Sequence, residues 1–180
     1  MLLRAIKGRL SPVDFLHLED KLNKKKLIAA ILKRLEHDLN TAITAARAAL
    51  DEATHPENKA ENQYDTRGLE AGYLAGAQAE RAAQIEEQIL IYKHLEPKDF
   101  KEKEPISSTA LVEVELNNKK SFVFVMSKGG GLVLEFEGQA IQVVTPNSPL
   151  GEAILGLKAG DVATVELGAR TREYEILTVQ

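Results

Sequence analysis

Two rhythms of apolar and polar positions divide the chain. From about Leu27 to Ala53, the residues Ile28, Leu32, Leu35, Leu39, Ala42, Ala46, Ala49 and Ala53 recur at alternating steps of four and three. That spacing keeps one stripe of an α-helix against a partner. A second stretch, about Arg67 to Leu95, repeats it with Ala71, Ala75, Ala82, Ile85, Ile89 and Tyr92, interrupted at Gln78. Between them THPENKAENQYDT is polar and aperiodic, so the pattern predicts an antiparallel helical hairpin that turns there. At about 1.5 Å per residue each arm reaches on the order of 40 Å.

Past residue 105 the period falls to two. Val112, Val114 and Leu116 alternate with Glu113 and Glu115; Phe122, Phe124 and Met126 follow, then Leu132, Leu134 and Phe136, then Ile141 and Val143. These are strand signals. NNKK at 117–120 and KGGG at 128–131 read as hairpin turns, Pro149 to Leu155 fits a short helix, and Lys158-Ala159-Gly160-Asp161 leads into strands over 162–167 and 173–179. The fold class is therefore α+β, an N-terminal coiled-coil hairpin followed by a small antiparallel sheet domain with one short helix. The predicted division is 1–95 for the helical part, 96–105 (EPKDFKEKEP) for a linker and 106–180 for the sheet domain. Ser11 followed by Pro12 is a helix start, placing a further short helix over Pro12 to Lys21.

The hairpin seam thins toward the turn as Leu gives way to Ala, and the return arm carries Gly68, Gly72 and Gly76 at intervals of four. Each costs about 1 kcal/mol against Ala in a helix interior. Close approach of the two backbones is the plainer explanation for them, and flexibility of the distal arm the other.

Composition narrows the chemistry. With 44% hydrophobic residues among 180, the chain can build a core. It has no cysteine, which excludes disulfides, thiolate metal sites and cysteine nucleophiles. MLLRAIKGRL is broken by Arg4, Lys7 and Arg9 before an apolar signal region can form, and no apolar run approaches membrane-spanning length, so a soluble cytoplasmic protein is expected. The formal charge is −4, which argues against a general affinity for nucleic acid or anionic lipid. Its location says more. Residues 51–65 hold Asp51, Glu52, Glu57, Glu61 and Asp65 against Lys59, a net of −4 that equals the excess of the whole chain.

Several enzymatic signatures are missing. His17, His37, His55 and His94 are scattered without zinc-ligand spacing, Gly129-Gly130-Gly131 lacks the Lys-Ser/Thr of a phosphate loop, and no nucleophile elbow occurs. What concentrates chemistry is the acidic turn. Such a tip can be a solvated cap that keeps the arm soluble and favours the next helix's N-terminus. Alternatively, Glu57, Glu61 and Asp65, spaced by four, converge if the segment is partly helical. A long thin arm then delivers hard oxygen ligands that suit Mg²⁺. The basic group Lys21, Lys24, Lys25, Lys26, Lys33 and Arg34 at the base of the first helix reads as a solvated face or as a contact for an acidic protein surface or for nucleic-acid phosphates.

The stretch VVTPNSPLGEAILGLKAGD, Val143 to Asp161, followed by the Tyr174-Glu175-Ile176 strand, resembles the C-terminal domain of the bacterial Gre transcript-cleavage factors. Glu61-Asn62 with Tyr64 at a hairpin tip resembles the acidic tip of the same family. The resemblance implies an FKBP-like C-terminal domain that docks on RNA polymerase, here through Asn147, Ser148, Pro149 and Leu150. It also implies a coiled coil that enters the secondary channel toward the 3′ end of the nascent RNA. The tip carboxylates, Glu57 and Glu61 with Asp65, would share a Mg²⁺ ion at the polymerase active site so that backtracked RNA is hydrolysed. No cofactor is then held by the factor alone, and it is no enzyme by itself; a monomer without membrane attachment is expected. Where the family has an acid three residues before the tip Glu, this chain has Asn58; Gln63 precedes Tyr64, with one residue missing; and Asn147 replaces an acid before Ser-Pro. These departures motivate an alternative, a Gre-like channel binder that modulates transcription without cleavage. An FKBP-type prolyl isomerase or chaperone is a third reading, weakened by a chain with no Trp and few aromatic residues.

Overall fold

The computed structural model describes residues 22–55, 66–101, 103–168 and 170–180. The segment expected as a helix over Pro12 to Lys21, the tip residues Glu57, Asn58, Glu61, Gln63 and Asp65, and Lys21 of the basic group lie outside the described residues.

The described residues form two compact units, one within 28–96 and one that joins residues 22–27 to those of 97–180. In the first, α1 (Lys24–Thr54), from Ile28 onward, and α2 (Arg67–Lys93) make the hairpin. Its seam is the expected one. On α1 the fully buried residues include Ile28, Leu35, Ala42 and Ala49, one heptad apart, and Leu32, Leu39, Ala46 and Ala53 are half-buried. On α2 the buried set is Ala71, Ala75, Ala82, Ile85, Ile89 and Tyr92. Glu36 and Lys93 approach to 3.9 Å, as antiparallel arms require. Gly72 and Gly76, however, do not line the contact. A Cβ built on Gly72 or Gly76 would meet nothing within 4 Å, and both residues are exposed. One residue from Ala71 or Ala75 is a turn of about 100° around the helix, which carries these positions off the seam.

The second unit is a six-stranded sheet in the order β3-β4-β2-β1-β6-β5. Its strands are β1 (Leu111–Leu116), β2 (Lys119–Val125), β3 (Val133–Phe136), β4 (Gln139–Val144), β5 (Val162–Leu167) and β6 (Arg170–Val179), with the helix α3 (Pro149–Ile154) between β4 and β5. Asn117 and Asn118, at φ 52° and 61°, make the two-residue turn that joins β1 to β2. Asn tolerates the left-handed region that such a turn demands. KGGG does something other than close a hairpin. β4 lies between β2 and β3, parallel to β2 and antiparallel to β3, so one pair in an otherwise antiparallel sheet is parallel. Residues 128–131 reverse the chain while leaving a strand's width for β4. The Gly131 N–H and the Leu132 carbonyl bond to Val143 on β4, at 2.9 and 2.8 Å.

Val112, Val114, Val123, Val125, Val144, Ala163 and Ile176 pack with Ile154 of α3 to form the core. Ile106 joins them, and so does Phe100, a core side chain supplied from within the stretch 96–105 expected as a linker. Lys24 also departs from the solvated face expected of the basic group. It is buried, donates through Nζ to the carbonyl oxygens of Lys98 and Thr109 (3.0 Å to the latter), and lies 4.8 Å from the Phe100 ring. Thr109 is held at φ 70°, and its Oγ1 accepts the Lys98 N–H at 3.0 Å.

Candidate functional site

Asn147, Ser148, Pro149 and Leu150 lie where β4 ends and α3 begins, and local chemistry fixes their geometry. Ser148 caps the helix. Its Oγ accepts the Gly151 N–H at 3.1 Å and donates to the Thr145 carbonyl at 2.7 Å, which also accepts the Ser148 N–H at 2.9 Å. Pro149 takes the first helical position, where a missing N–H costs nothing. Glu152 N–H closes the first turn on the Ser148 carbonyl at 2.8 Å. Gly151 permits this arrangement, since a Cβ there would fall 2.0 Å from the Thr145 oxygen. From the other side, a Cβ on Gly130 would fall 3.0 Å from the Thr145 Cγ2. Thr145 is thus wedged between the glycine-rich loop and the first turn of α3. The outcome is a rigid knuckle: Pro146, Asn147 and Pro149 are exposed, Ser148 is half-buried as the cap, and Leu150 packs against the core.

Leu150 also walls a groove of about 440 Å³ on the same face of the sheet. Val123 and Ser121 of β2, Gln142 of β4 and Tyr174 of β6 line it, and Leu116 and Lys119 lie at the β1–β2 turn end. The groove exists because α3 has six residues, about 9 Å of helix. That covers one end of the sheet face and leaves the other open. With Tyr174 its one aromatic lining residue, the groove lacks the aromatic wall of an isomerase pocket.

Asn147, Ser148, Pro149 and Leu150, consecutive in the chain, share this one corner. The supporting Thr145, Gly130 and Gly151, and the groove residues Lys119, Ser121, Gln142 and Tyr174, were not singled out as a site by sequence reasoning. A glycine inside the first turn of a six-residue helix was the available signal for Gly151. Among the described residues no group of three or more His, Cys, Asp or Glu could hold a metal ion. No helix among them is long and apolar enough to cross a membrane.

Comparison with known proteins decides the family. Residues 131–180 match the family model described as "Transcription elongation factor, GreA/GreB, C-term". A transcription elongation factor GreA of Streptococcus agalactiae is 30% identical over 122 residues, which cover 66% of this chain and 69% of that protein. The chain belongs to the GreA/GreB family. A GreA of Methylococcus capsulatus is 26% identical over 165 residues, 88% of this chain and 99% of that protein, so the likeness extends through the hairpin. Among solved structures, GreA factor homolog 1 (Gfh1) of Thermus thermophilus is 22% identical, covers 83% of this chain and 94% of its own, and superposes with a TM-score of 0.34. In this GreA/GreB-family chain the knuckle, α3, β5 and β6 all fall inside the 131–180 match, while the groove draws β2 from outside it.

Proposed function

We propose that this GreA/GreB-family chain binds bacterial RNA polymerase through the Asn147–Leu150 knuckle, occupies the secondary channel with its α1–α2 hairpin and modulates transcription there without stimulating RNA cleavage. Family membership, with the Ser148-Pro149 knuckle built as a rigid exposed corner, is the observation that carries the docking half. Asn58 and Gln63 in the tip sequence carry the other half, because each puts a neutral side chain where the family places an acid or a neighbour of one. The protein acts in the cytoplasm as a monomer and has no catalytic centre of its own.

A second reading, stimulation of cleavage of backtracked RNA, is favoured by Glu61-Asn62 with Tyr64 in the same segment. Glu57, Glu61 and Asp65 are hard oxygen donors of the kind that suit Mg²⁺, whose chemistry at a polymerase centre is activation of water.

Backtracked elongation complexes in Mg²⁺ separate the two readings. The proposal expects competition with a cleavage-competent Gre factor and no shortening of the RNA by this protein alone. Faster cleavage that disappears in Glu61→Ala would install the second reading. Absence of both binding and competition would overturn both.

A further inference from the structure

The sheet sorts its charges by face. Strand register pairs Leu116 with Lys119, Val114 with Ser121, Ala163 with Tyr174, Val165 with Arg172 and Leu167 with Arg170. Alternation therefore puts Lys119, Arg170 and Arg172 on the face that carries the groove. On the reverse face the same register places Glu113, Glu115, Glu166, Glu173 and Glu175, with Lys120 held 3.3 Å from Glu113. Lys119, Arg170 and Arg172 are exposed and make no ion pair among the described residues. Acids on their side are Glu135 on the edge strand β3 and Glu152 on α3.

We infer that the groove, with Lys119 in its lining and Arg170 and Arg172 on the same sheet face, forms the charge-reading part of the docking surface and takes an acidic segment of the polymerase that carries an apolar side chain. The inference rests on the docking proposal and extends it to residues outside the knuckle. The apolar side chain enters between Leu150, Val123 and Tyr174, and the acids around it meet Lys119 and Arg172. Leu150 belongs to both knuckle and groove, so the two surfaces are continuous. A nucleic acid strand fits less well. It asks for stacking platforms along a basic track, whereas this groove offers Tyr174 alone and is backed by an acidic face. Charges at the rim of an apolar contact act mainly on association rate and salt dependence.

The test is binding of the full-length chain to core RNA polymerase, followed by anisotropy of a labelled protein at low and high salt. Lys119→Gln/Arg172→Gln is compared with Lys101→Gln/Lys103→Gln, an equal charge change at exposed positions away from the groove. The expected result is about a tenfold or greater loss of affinity at low salt, a flatter salt dependence, and no such loss in the control pair. Circular dichroism checks folding, and the single variants should each give part of the loss. Equal affinity of the two double variants overturns the inference and leaves knuckle docking intact. A loss seen with a nucleic-acid scaffold but absent with core enzyme overturns it in favour of a nucleic-acid face. Failure of the unmodified protein to bind polymerase overturns the docking proposal itself and this inference with it.

Discussion

Gly151→Ala sets two well-understood effects against each other. Inside a helix the change should stabilise by about 1 kcal/mol, because Ala loses less backbone freedom than Gly. Here the added methyl would lie 2.0 Å from the Thr145 oxygen and 2.8 Å from both the Thr145 carbonyl carbon and Ser148 Oγ. A non-bonded carbon and oxygen need at least about 1 Å more than the shortest of these separations. The obstruction is backbone, so no rotamer change relieves it, and the first turn of α3 must move away from the end of β4. That movement breaks the Ser148 cap, worth about 1 kcal/mol, and the bonds from Ser148 to the Thr145 carbonyl, about 1 kcal/mol each. Subtracting the helix-propensity gain leaves a net loss of about 2 kcal/mol, in the range usual for overpacked sites. Urea unfolding followed at amide resonances of β4 and β5 measures it without interference from the hairpin. Ser148→Ala, which removes the cap and the Oγ bond to the Thr145 carbonyl without the clash, should cost about 2 kcal/mol on the same figures and serves as the internal reference. A Gly151→Ala protein as stable as the parent, or more stable, would refute the steric argument and with it the claim that the knuckle is rigid.

Gly72→Ala and Gly76→Ala should move stability the other way, each raising it by about 1 kcal/mol, since the new methyl meets open space; thermal melting at 222 nm reports the hairpin. Lys24→Met should destabilise the sheet unit by about 3 kcal/mol, because it leaves the carbonyls of Lys98 and Thr109 without their charged donor, and amide exchange across 98–110 should rise with it. Tyr92 is buried with no hydrogen-bond partner for its hydroxyl among the described residues, and burial holds its phenol well above the ordinary value of 10.0. The unfolded chain therefore loses the proton first as pH rises through 10, so stability should fall above pH 10 by up to about 1.4 kcal/mol per unit. Tyr92→Phe should abolish that component and leave neutral-pH stability equal or higher; an unchanged alkaline slope would count against it.

What the sequence disclosed follows the range of each interaction. The hairpin seam was legible because a heptad is a local pattern: Ile28, Leu35, Ala42 and Ala49 announce their shared side through spacing alone. The corner at 147–150 entered through the family resemblance, although its cap is local, since Ser148 bonds Thr145 and Gly151, each three residues away. KGGG disclosed a reversal but not its neighbour, because the insertion of β4 between β2 and β3 is decided by pairing with a strand that comes later in the chain. Lys24 looked like one more surface cation. Its burial depends on Lys98 and Thr109, 74 and 85 residues away, which no local pattern encodes. Between these extremes stands β6. Arg170, Arg172 and Tyr174 alternate with Thr171, Glu173 and Glu175, so the separation of charge into two faces was written in the sequence. Which face carries a groove was not, for that needs the register across β1 and β2 and a helix too short to cover Tyr174. Charge segregation along a strand is therefore a readable sign that its two faces meet different surroundings, and the fold supplies the identity of each.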